Sequence, residues 1–267
     1  VLNTEPAVRP GTEQAMFPTG AVSLRNVSFA YPTGSGRSVL NRINLEIRGG
    51  ETIAILGATG SGKTTLINLL TRFYDPNEGE ILIDGRNIKD FTLESLRENI
   101  GLVLQKSELF SGSIRDNIRW GKEDATDEEV VRAAQTAQAE EFIEKFRDGY
   151  DSQVGEKGTA LSGGQKQRLC IARALVRKPK LLIFDDSTSA LDLNTEAKLR
   201  SALKKNLRGS TIIMIAQRVA SVKDADKIAV LENGEIVAFD SHERLMESCP
   251  VYIDIYNSQN RKGGGAQ

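Results

Sequence analysis

The feature that most constrains this chain is the segment GATGSGKT at residues 57–64, which fits the pattern G-x-x-x-x-G-K-[ST]. It follows an apolar stretch at residues 52–56 and precedes a helical pattern of leucines that stops at residues 75–76. A strand, glycine-rich loop and helix in this order bind a triphosphate, because glycines let backbone N–H groups approach the phosphates and the helix N-terminus adds partial positive charge. Lys63 can reach the β- and γ-phosphates, and the Thr64 hydroxyl can ligate Mg²⁺.

The apolar pattern divides the chain into three parts. The first third predicts short strands at residues 22–29, 45–47 and 81–83. The middle predicts helices, with a capping box formed by Thr126 and Glu129. The last third alternates buried strands with helices, which is typical of a mainly parallel, doubly wound α/β core. Its predicted elements are strands at 181–184, 211–216 and 227–231 and a helix through Leu199, Ala202, Leu203 and Leu207.

Composition argues against several classes of protein. With 35 Lys+Arg against 36 Asp+Glu, the chain has no basic excess for nucleic acid. The chain has one histidine, His242, which excludes a His-rich metal site and lies in a predicted helix cap. Cys170 and Cys249 are far apart in sequence and are expected to pack as small apolar residues. The first methionine is Met16, and residues 1–20 hold three of the seven prolines. We therefore expect a linker at 1–20 within a piece of a longer polypeptide.

A second motif, Leu161-Ser162-Gly163-Gly164-Gln165, is sharper than the first. Ser162 and Gln165 form a capping box that opens a helix running to residues 178–179. Two glycines just inside a helix cost about 1 kcal/mol each against alanine. The bare backbone therefore predicts close approach of a second anion to this helix N-terminus.

These motifs resemble those of the ATP-binding cassette (ABC) family over residues 21 to about 257. The LSGGQ segment is similar to the family's signature, and residues 180–185 (KLLIFD) are similar to its Walker B strand. Residues 189–192 (SALD) match its D-loop, Gln105 its Q-loop, and Tyr31 its adenine-stacking position. The resemblance implies a P-loop NTPase (RecA-like) α/β core with an antiparallel β subdomain and an inserted α-helical subdomain.

The resemblance also implies the domain organisation and the subtype. Residues 1–20 would be a linker from a preceding transmembrane domain, 21–257 the nucleotide-binding domain with its helical subdomain at about 106–175, and 258–267 a flexible tail. Residues 109–118 and the X-loop at 154–158 resemble the exporter version of the family. The chain is then expected at the cytoplasmic face of the cell membrane, joined to its own and its partner's transmembrane domains.

The resemblance assigns roles to single residues. Two cassettes would sandwich two ATP molecules, with Mg²⁺ bound at each site. Tyr31 would stack on adenine, or pack as a core tyrosine. The nucleotide-binding set is Tyr31, Gly57, Thr59, Gly60, Ser61, Gly62, Lys63, Thr64 and Thr65, the metal set is Thr64, Gln105 and Asp185, and the catalytic set is Gln105, Asp186 and Gln217. Leu161, Ser162, Gly163, Gly164 and Gln165 would face the partner's ATP, and Asp192 would cross the interface.

Two positions depart from the family pattern. Asp186 stands where the family has glutamate, and Gln217 stands where it has histidine. The aspartate is one methylene shorter, and misplacing a catalytic group by ~1 Å costs ~100-fold in rate. Glutamine can hydrogen-bond near the γ-phosphate but cannot become cationic. The residues therefore predict a site that binds Mg-ATP and turns it over slowly.

Three readings remain open at the level of sequence. The first is the degenerate half of a heterodimeric exporter, whose LSGGQ completes the working site of a non-identical partner. The second is an active homodimeric exporter in which Asp186 suffices. The third is a soluble ABC-type nucleotide switch, which the near-zero charge and the exporter-like segment at 109–118 disfavour. In the first two the chain is an ATPase coupled to transport, and in the first it is weak in isolation.

Overall fold

The computed structural model describes residues 8–32, 36–155, 158, 161–188 and 190–263. They form two compact units: unit 1 comprises Val1–Asn99 and Thr211–Gln267, and unit 2 comprises Ile100–Ser210. The elements in chain order are β1 (Val22–Phe29), β2 (Leu40–Ile47), β3 (Thr52–Leu56), α1 (Lys63–Leu70), β4 (Glu78–Ile83), β5 (Arg86–Asn87), α2 (Leu93–Glu98), β6 (Ile100–Val103), β7 (Gly112–Ser113), α3 (Ile114–Arg119), α4 (Asp127–Thr136), α5 (Glu140–Ile143), β8 (Gln153–Val154), α6 (Gly163–Leu175), β9 (Leu181–Asp185), α7 (Leu193–Asn206), β10 (Thr211–Ala216), β11 (Lys227–Glu232), β12 (Glu235–Asp240), α8 (His242–Ser248) and α9 (Pro250–Gly263).

Unit 1 contains two sheets. The antiparallel sheet has the order β2-β1-β4-β5, and Val22 of β1 lies opposite both Ile47 and Ile83. In the second, β3 pairs in parallel with β10 on one side and with β11 on the other, and β12 adds an antiparallel edge to β11. All six residues of β10 are buried, as expected for a strand covered on both faces. Because β3 lies between β10 and β11 and ends at Leu56, residues 57–62 begin at the carboxyl end of the middle strand of the three.

Unit 2 combines a short parallel pair with helices. β6 pairs in parallel with β9, with Ile100 opposite Leu181. Helices α3, α4 and α6 contact one another, and the short antiparallel pair β7–β8, formed by segments far apart in sequence, lies next to α3. The buried Asn117 holds this helical part together, because its amide donates to Phe110 O and its backbone carbonyl accepts from Arg173. The predicted α/β core, antiparallel β sheet and inserted helical region are confirmed.

The described part of the predicted linker, residues 8–20, packs on unit 1. Gly11 N–H donates to Phe91 O at 3.0 Å, and Glu13 O accepts from Thr92 N–H at 2.8 Å. Phe17 is buried, and a Cβ at Gly11 would lie only 2.1 Å from Asp90 O. This segment is therefore folded against the unit, whereas its role as a linker stays a prediction.

Some predicted helix limits were wrong. α1 ends at Leu70, and Arg72 has a left-handed φ of 52° that turns the chain away. Phe73 therefore lies outside the helix, half exposed, with the Arg97 guanidinium 4.7 Å from its ring centre. α6 ends at Leu175, three residues before the expected 178–179.

At the C-terminus the chain stays helical past the expected end of the domain. α9 continues to Gly263, so residues 258–263 of the predicted flexible tail belong to a helix. Residues 264–267 lie outside the described part of the chain. Within the described ranges, every helix is too short or too polar to cross a lipid bilayer.

Candidate functional site

The glycine-rich loop has the backbone that its sequence predicts. Gly60 and Gly62 adopt φ values of 84° and 109°, which L-residues rarely reach. A larger residue at Gly57 is excluded sterically, because an added Cβ would lie 2.4 Å from Leu231 O. A Cβ at Gly62 would lie 2.7 Å from the Leu40 side chain. Backbone conformation therefore favours glycine at residues 60 and 62, and close neighbours exclude a larger residue at 57 and 62.

Lys63 folds back over this loop. Its Nζ donates to the carbonyl oxygens of Gly57 and Ala58, both at 2.7 Å, and its side chain is about nine-tenths buried. The next residue, Thr64, is exposed, which leaves it accessible to a ligand. A fixed ammonium group, an accessible threonine and the N-terminus of α1 lie within three residues. This arrangement suits a phosphate chain.

Tyr31 is linked to the start of α1. Its hydroxyl lies 3.1 Å from Thr65 Oγ1, so the two hydroxyls share a hydrogen bond. Its ring meets Phe29 and Tyr74 edge to face, at centroid distances of 5.0 and 5.2 Å. The structure therefore fixes the ring in unit 1 next to the start of α1, and the choice between adenine stacking and a core role stays a prediction.

A hairpin turn that the sequence analysis did not connect to the site braces the loop. Asn233 and Gly234 form a two-residue turn between β11 and β12 with φ values of 49° and 81°. Gly234 N–H donates to Ser61 O at 3.2 Å, and Gly234 O accepts from Asn41 N–H at 2.8 Å. The Asn-Gly pair predicts the turn, but nothing in the sequence predicts a contact across 173 residues.

Replacing Gly234 with alanine is expected to raise the Kd for ATP about tenfold, because the new Cβ would lie 2.4 Å from Val39 O and would push the turn away from Ser61. Gly85→Ala is the matched control. Gly85 has a φ of 79° in the equivalent turn between β4 and β5, and its Cβ would meet no described atom within 4 Å. Calorimetric ATP titration of both variants tests this. Equal losses of ATP affinity would contradict a supporting role of the Gly234 turn for the glycine-rich loop.

In unit 2 the structure brings Gln105 and Asp186 together. Gln105 Nε2 donates to Asp186 Oδ2 at 3.4 Å. Asp185 is the last residue of β9, and Asp186 follows with a φ of 45°. This left-handed conformation is uncommon outside glycine, and aspartate is among the few residues that adopt it readily. Two predicted site residues therefore meet at a backbone position that favours aspartate over longer side chains.

The LSGGQ segment forms the predicted capping box. Ser162 N–H donates to Gln165 Oε1 at 2.9 Å, and Gln165 N–H donates to Ser162 Oγ at 3.3 Å. The two glycines have different explanations. A Cβ at Gly164 would lie 3.2 Å from Ala190 O, whereas a Cβ at Gly163 would meet no described atom within 4 Å. Gly164 thus has a packing reason as well, and the approach of a second anion to both glycines stays a prediction. Leu161 is buried beneath them.

Asp192 caps a helix. Its carboxylate accepts from the hydroxyl and the backbone N–H of Thr195, at 2.7 and 2.9 Å, as the N-cap of α7. These bonds, led by the Thr195 hydroxyl, hold the pKa of the Asp192 carboxyl below its ordinary value. Its predicted contact across an interface stays a prediction. Ser189 of the predicted D-loop and residues 156–157 of the predicted X-loop lie outside the described residues.

Gln217 follows β10 in unit 1, and its side chain is exposed. The backbone carbonyl oxygen of Gln217 accepts from Gln259 Nε2 at 2.7 Å. Gln259 stood in the predicted flexible tail, so this contact was missed. His242 takes the structural position that the sequence predicts, with Nδ1 2.7 Å from the Tyr252 hydroxyl.

The metal-binding prediction concerns three oxygen donors, the Thr64 hydroxyl, the Gln105 amide and the Asp185 carboxylate. Magnesium in nucleotide sites takes one or two such protein ligands, with phosphates and waters completing the shell. Among the described residues there is no cluster of three or more His, Cys, Asp or Glu that could hold a metal alone. The donor set fits a cation that arrives with its nucleotide.

Comparison with known proteins agrees with these motifs. The sequence profile described as ABC transporter matches residues 40–189. The chain is 47% identical over 244 residues to the uncharacterized ABC transporter ATP-binding protein YfiC of Bacillus subtilis, covering 91% of this chain and 40% of that protein. It is 44% identical over 252 residues to the putative multidrug export ATP-binding/permease protein YgaD of the same organism, covering 94% and 43%.

A solved structure agrees with the sequence comparisons. The chain superimposes on a bacterial Atm1-family ABC exporter with ATP bound, with a TM-score of 0.92 and 38% identity, covering 100% of this chain and 46% of that one. The chain therefore spans less than half the length of these relatives.

Proposed function

Because the chain belongs to the ABC transporter family and carries its ATP-binding ATPase domain, we propose that it binds and hydrolyses Mg-ATP to power export of a substrate across a membrane. One observation carries this proposal most directly: Lys63, held by the loop carbonyls of Gly57 and Ala58 beside the exposed Thr64, at the N-terminus of α1. The relatives named as multidrug export ATP-binding/permease proteins support the transport role.

The chain's own residues then have distinct tasks. Lys63 and the N–H groups of the glycine-rich loop bind the phosphates, and Tyr31 stacks on adenine. Asp186, held by Gln105, orients the attacking water, and Gln217 contacts the γ-phosphate. Thr64, Gln105 and Asp185 would hold Mg²⁺, which would supply neutralisation of the phosphate charge. The LSGGQ residues and Asp192 serve the ATP of a second cassette.

The domain limits follow from this role. Residues 1–20 link the cassette to a transmembrane domain at the cytoplasmic face of the membrane, and residues 21–257 form the nucleotide-binding domain, with a helical subdomain at about 106–175. The packing of residues 8–20 on unit 1 supports a short, firm connection rather than a loose one. Motion of a preceding domain would then be transmitted directly to unit 1.

We further propose that the chain is the degenerate half of a heterodimer. Asp186 is a methylene short of the family's glutamate, and Gln217 lacks the charge of an imidazolium, so both weaken chemistry while the phosphate-binding residues are complete. One observation favours the alternative, an active homodimer: the Gln105 amide already holds the Asp186 carboxylate at 3.4 Å.

Three measurements on the wild-type chain separate these proposals. Calorimetric titration with Mg-ATP tests binding, and its absence would contradict the proposed function altogether. Steady-state ATPase activity is then measured at saturating Mg-ATP and high protein concentration, with the mass in solution determined by light scattering. Binding with turnover far below ~1 s⁻¹ supports the degenerate half. A homodimer that turns over at ~1 s⁻¹ or faster establishes the alternative.

A further inference from the structure

A side chain of the C-terminal helix bonds to the backbone that directly follows β10. Gln259 Nε2 donates to Gln217 O at 2.7 Å, and Gln259 Oε1 accepts from Val219 N–H at 2.8 Å. The amide therefore spans the two backbone groups on either side of Arg218. A side chain 42 residues away fixes the backbone at the position where the family has histidine.

An amide is suited to this task because it offers a donor and an acceptor on one planar group. β10 ends at Ala216, and the turn Val219–Ser221 begins shortly after it, so these backbone groups lie between two elements. Backbone groups without a ladder partner need another one when they are partly buried. Gln259 supplies both partners at once, which fixes the distance between Gln217 and Val219.

The helix that carries Gln259 is itself firmly anchored in unit 1. Tyr252 of α9 is fully buried, and its hydroxyl lies 2.7 Å from His242 Nδ1. It shares a buried cluster with Val219 and with Leu56, the last residue of β3 before the glycine-rich loop. The support for Gln217 and the entry to the phosphate loop are thus parts of one packed core.

We propose that Gln259 is a positioning residue for the nucleotide site. By fixing the backbone of Gln217 and Val219, it holds the exposed Gln217 side chain where it contacts the γ-phosphate of bound ATP. This inference rests on the proposed ATP-binding function and adds that the C-terminal helix determines discrimination between ATP and ADP. Gln259 acts through Gln217 and contacts no nucleotide.

The test is the ratio of ADP to ATP dissociation constants, measured by calorimetry without need of turnover. Gln259→Ala is expected to raise the Kd for ATP about tenfold and to leave the Kd for ADP unchanged, because only the γ-phosphate contact is lost. Gln217→Ala should give the same change. The double variant should lose no more than either single variant, since both remove one interaction. Asn257→Ala, an exposed amide on the same helix, is the matched control and should match wild type.

Three results would overturn the inference: equal losses of ATP and ADP affinity in Gln259→Ala, additive losses in the double variant, or a wild type that binds both nucleotides equally well. A wild type that binds neither nucleotide contradicts the proposed function instead. If Gln259→Ala does not fold, hydrogen exchange of the Val219 amide in the wild type decides. It should be slower with ATP than with ADP, and equal exchange rates would overturn the inference.

Discussion

Replacing Lys63 with methionine is expected to raise the Kd for Mg-ATP by at least ~100-fold, the scale of removing one partner from a desolvated, hydrogen-bonded charge pair. The lysine is buried, and its Nζ lies 2.7 Å from two loop carbonyls, so its charge is fixed at the loop rather than free in solvent. Methionine keeps an unbranched apolar stem of similar length, so packing of the stem is largely retained while the charge and its donors are removed.

Calorimetric titration with ATP and with ADP measures this effect. Lys89→Met, the same change at an exposed lysine of unit 1, is the control and should bind as wild type does. Lys63→Met also removes the donors to Gly57 O and Ala58 O, so urea unfolding is measured in parallel. A folded variant that binds ATP within threefold of wild type would remove Lys63 from the site.

Local patterns predicted local structure well in this chain. β3 and β10 have the predicted limits, because a short apolar run with non-apolar residues on both sides leaves little choice of where the strand begins and ends. Both predicted capping boxes, Thr126 with Glu129 and Ser162 with Gln165, are formed. Each depends only on residues three positions apart, so no tertiary information is needed.

The failures arise where tertiary contacts decide. Phe73 continues the helical spacing of α1, but the left-handed backbone at Arg72 ends that pattern. Gln259 looks like part of a polar tail, yet its amide bonds to the backbone of Gln217 and Val219 tie it to the segment that follows β10. A polar residue near a terminus carries no sequence signal of such a role, because its partners are backbone groups whose position only the fold sets.

In the LSGGQ segment the structure adds a packing reason to an argument about function. The sequence assigned both glycines to a ligand, on the ground that each costs helix stability. Close packing of Gly164 against Ala190 O explains one of them without any ligand. A Cβ at Gly163 would meet no described atom within 4 Å, so alanine at Gly163 should weaken contact with a second nucleotide more specifically than alanine at Gly164.

The double variant Asp186→Glu, Gln217→His is expected to raise steady-state ATPase activity by ~100-fold or more, because each change restores a group that the chemistry requires. Glutamate carries its carboxylate one methylene further from the backbone, and ~1 Å of placement is worth ~100-fold. Histidine at 217 keeps a hydrogen bond and adds a group that can become cationic. Gln259 contacts only the backbone of residue 217, so its support survives the substitution.

The single variants separate the two contributions. Glutamate tolerates the φ of 45° at position 186 less well than aspartate, so Asp186→Glu is expected to lose ~1 kcal/mol of stability while gaining rate. A gain in rate at unchanged ATP affinity would show that the hydrolysis step, and not ATP binding, limits the ATPase rate of the wild-type chain. It would justify a search for a partner cassette. An unchanged rate in a variant that binds ATP and dimerises would mean that Asp186 and Gln217 do not limit turnover. The degenerate-half proposal would then fail, since it rests on those two residues alone.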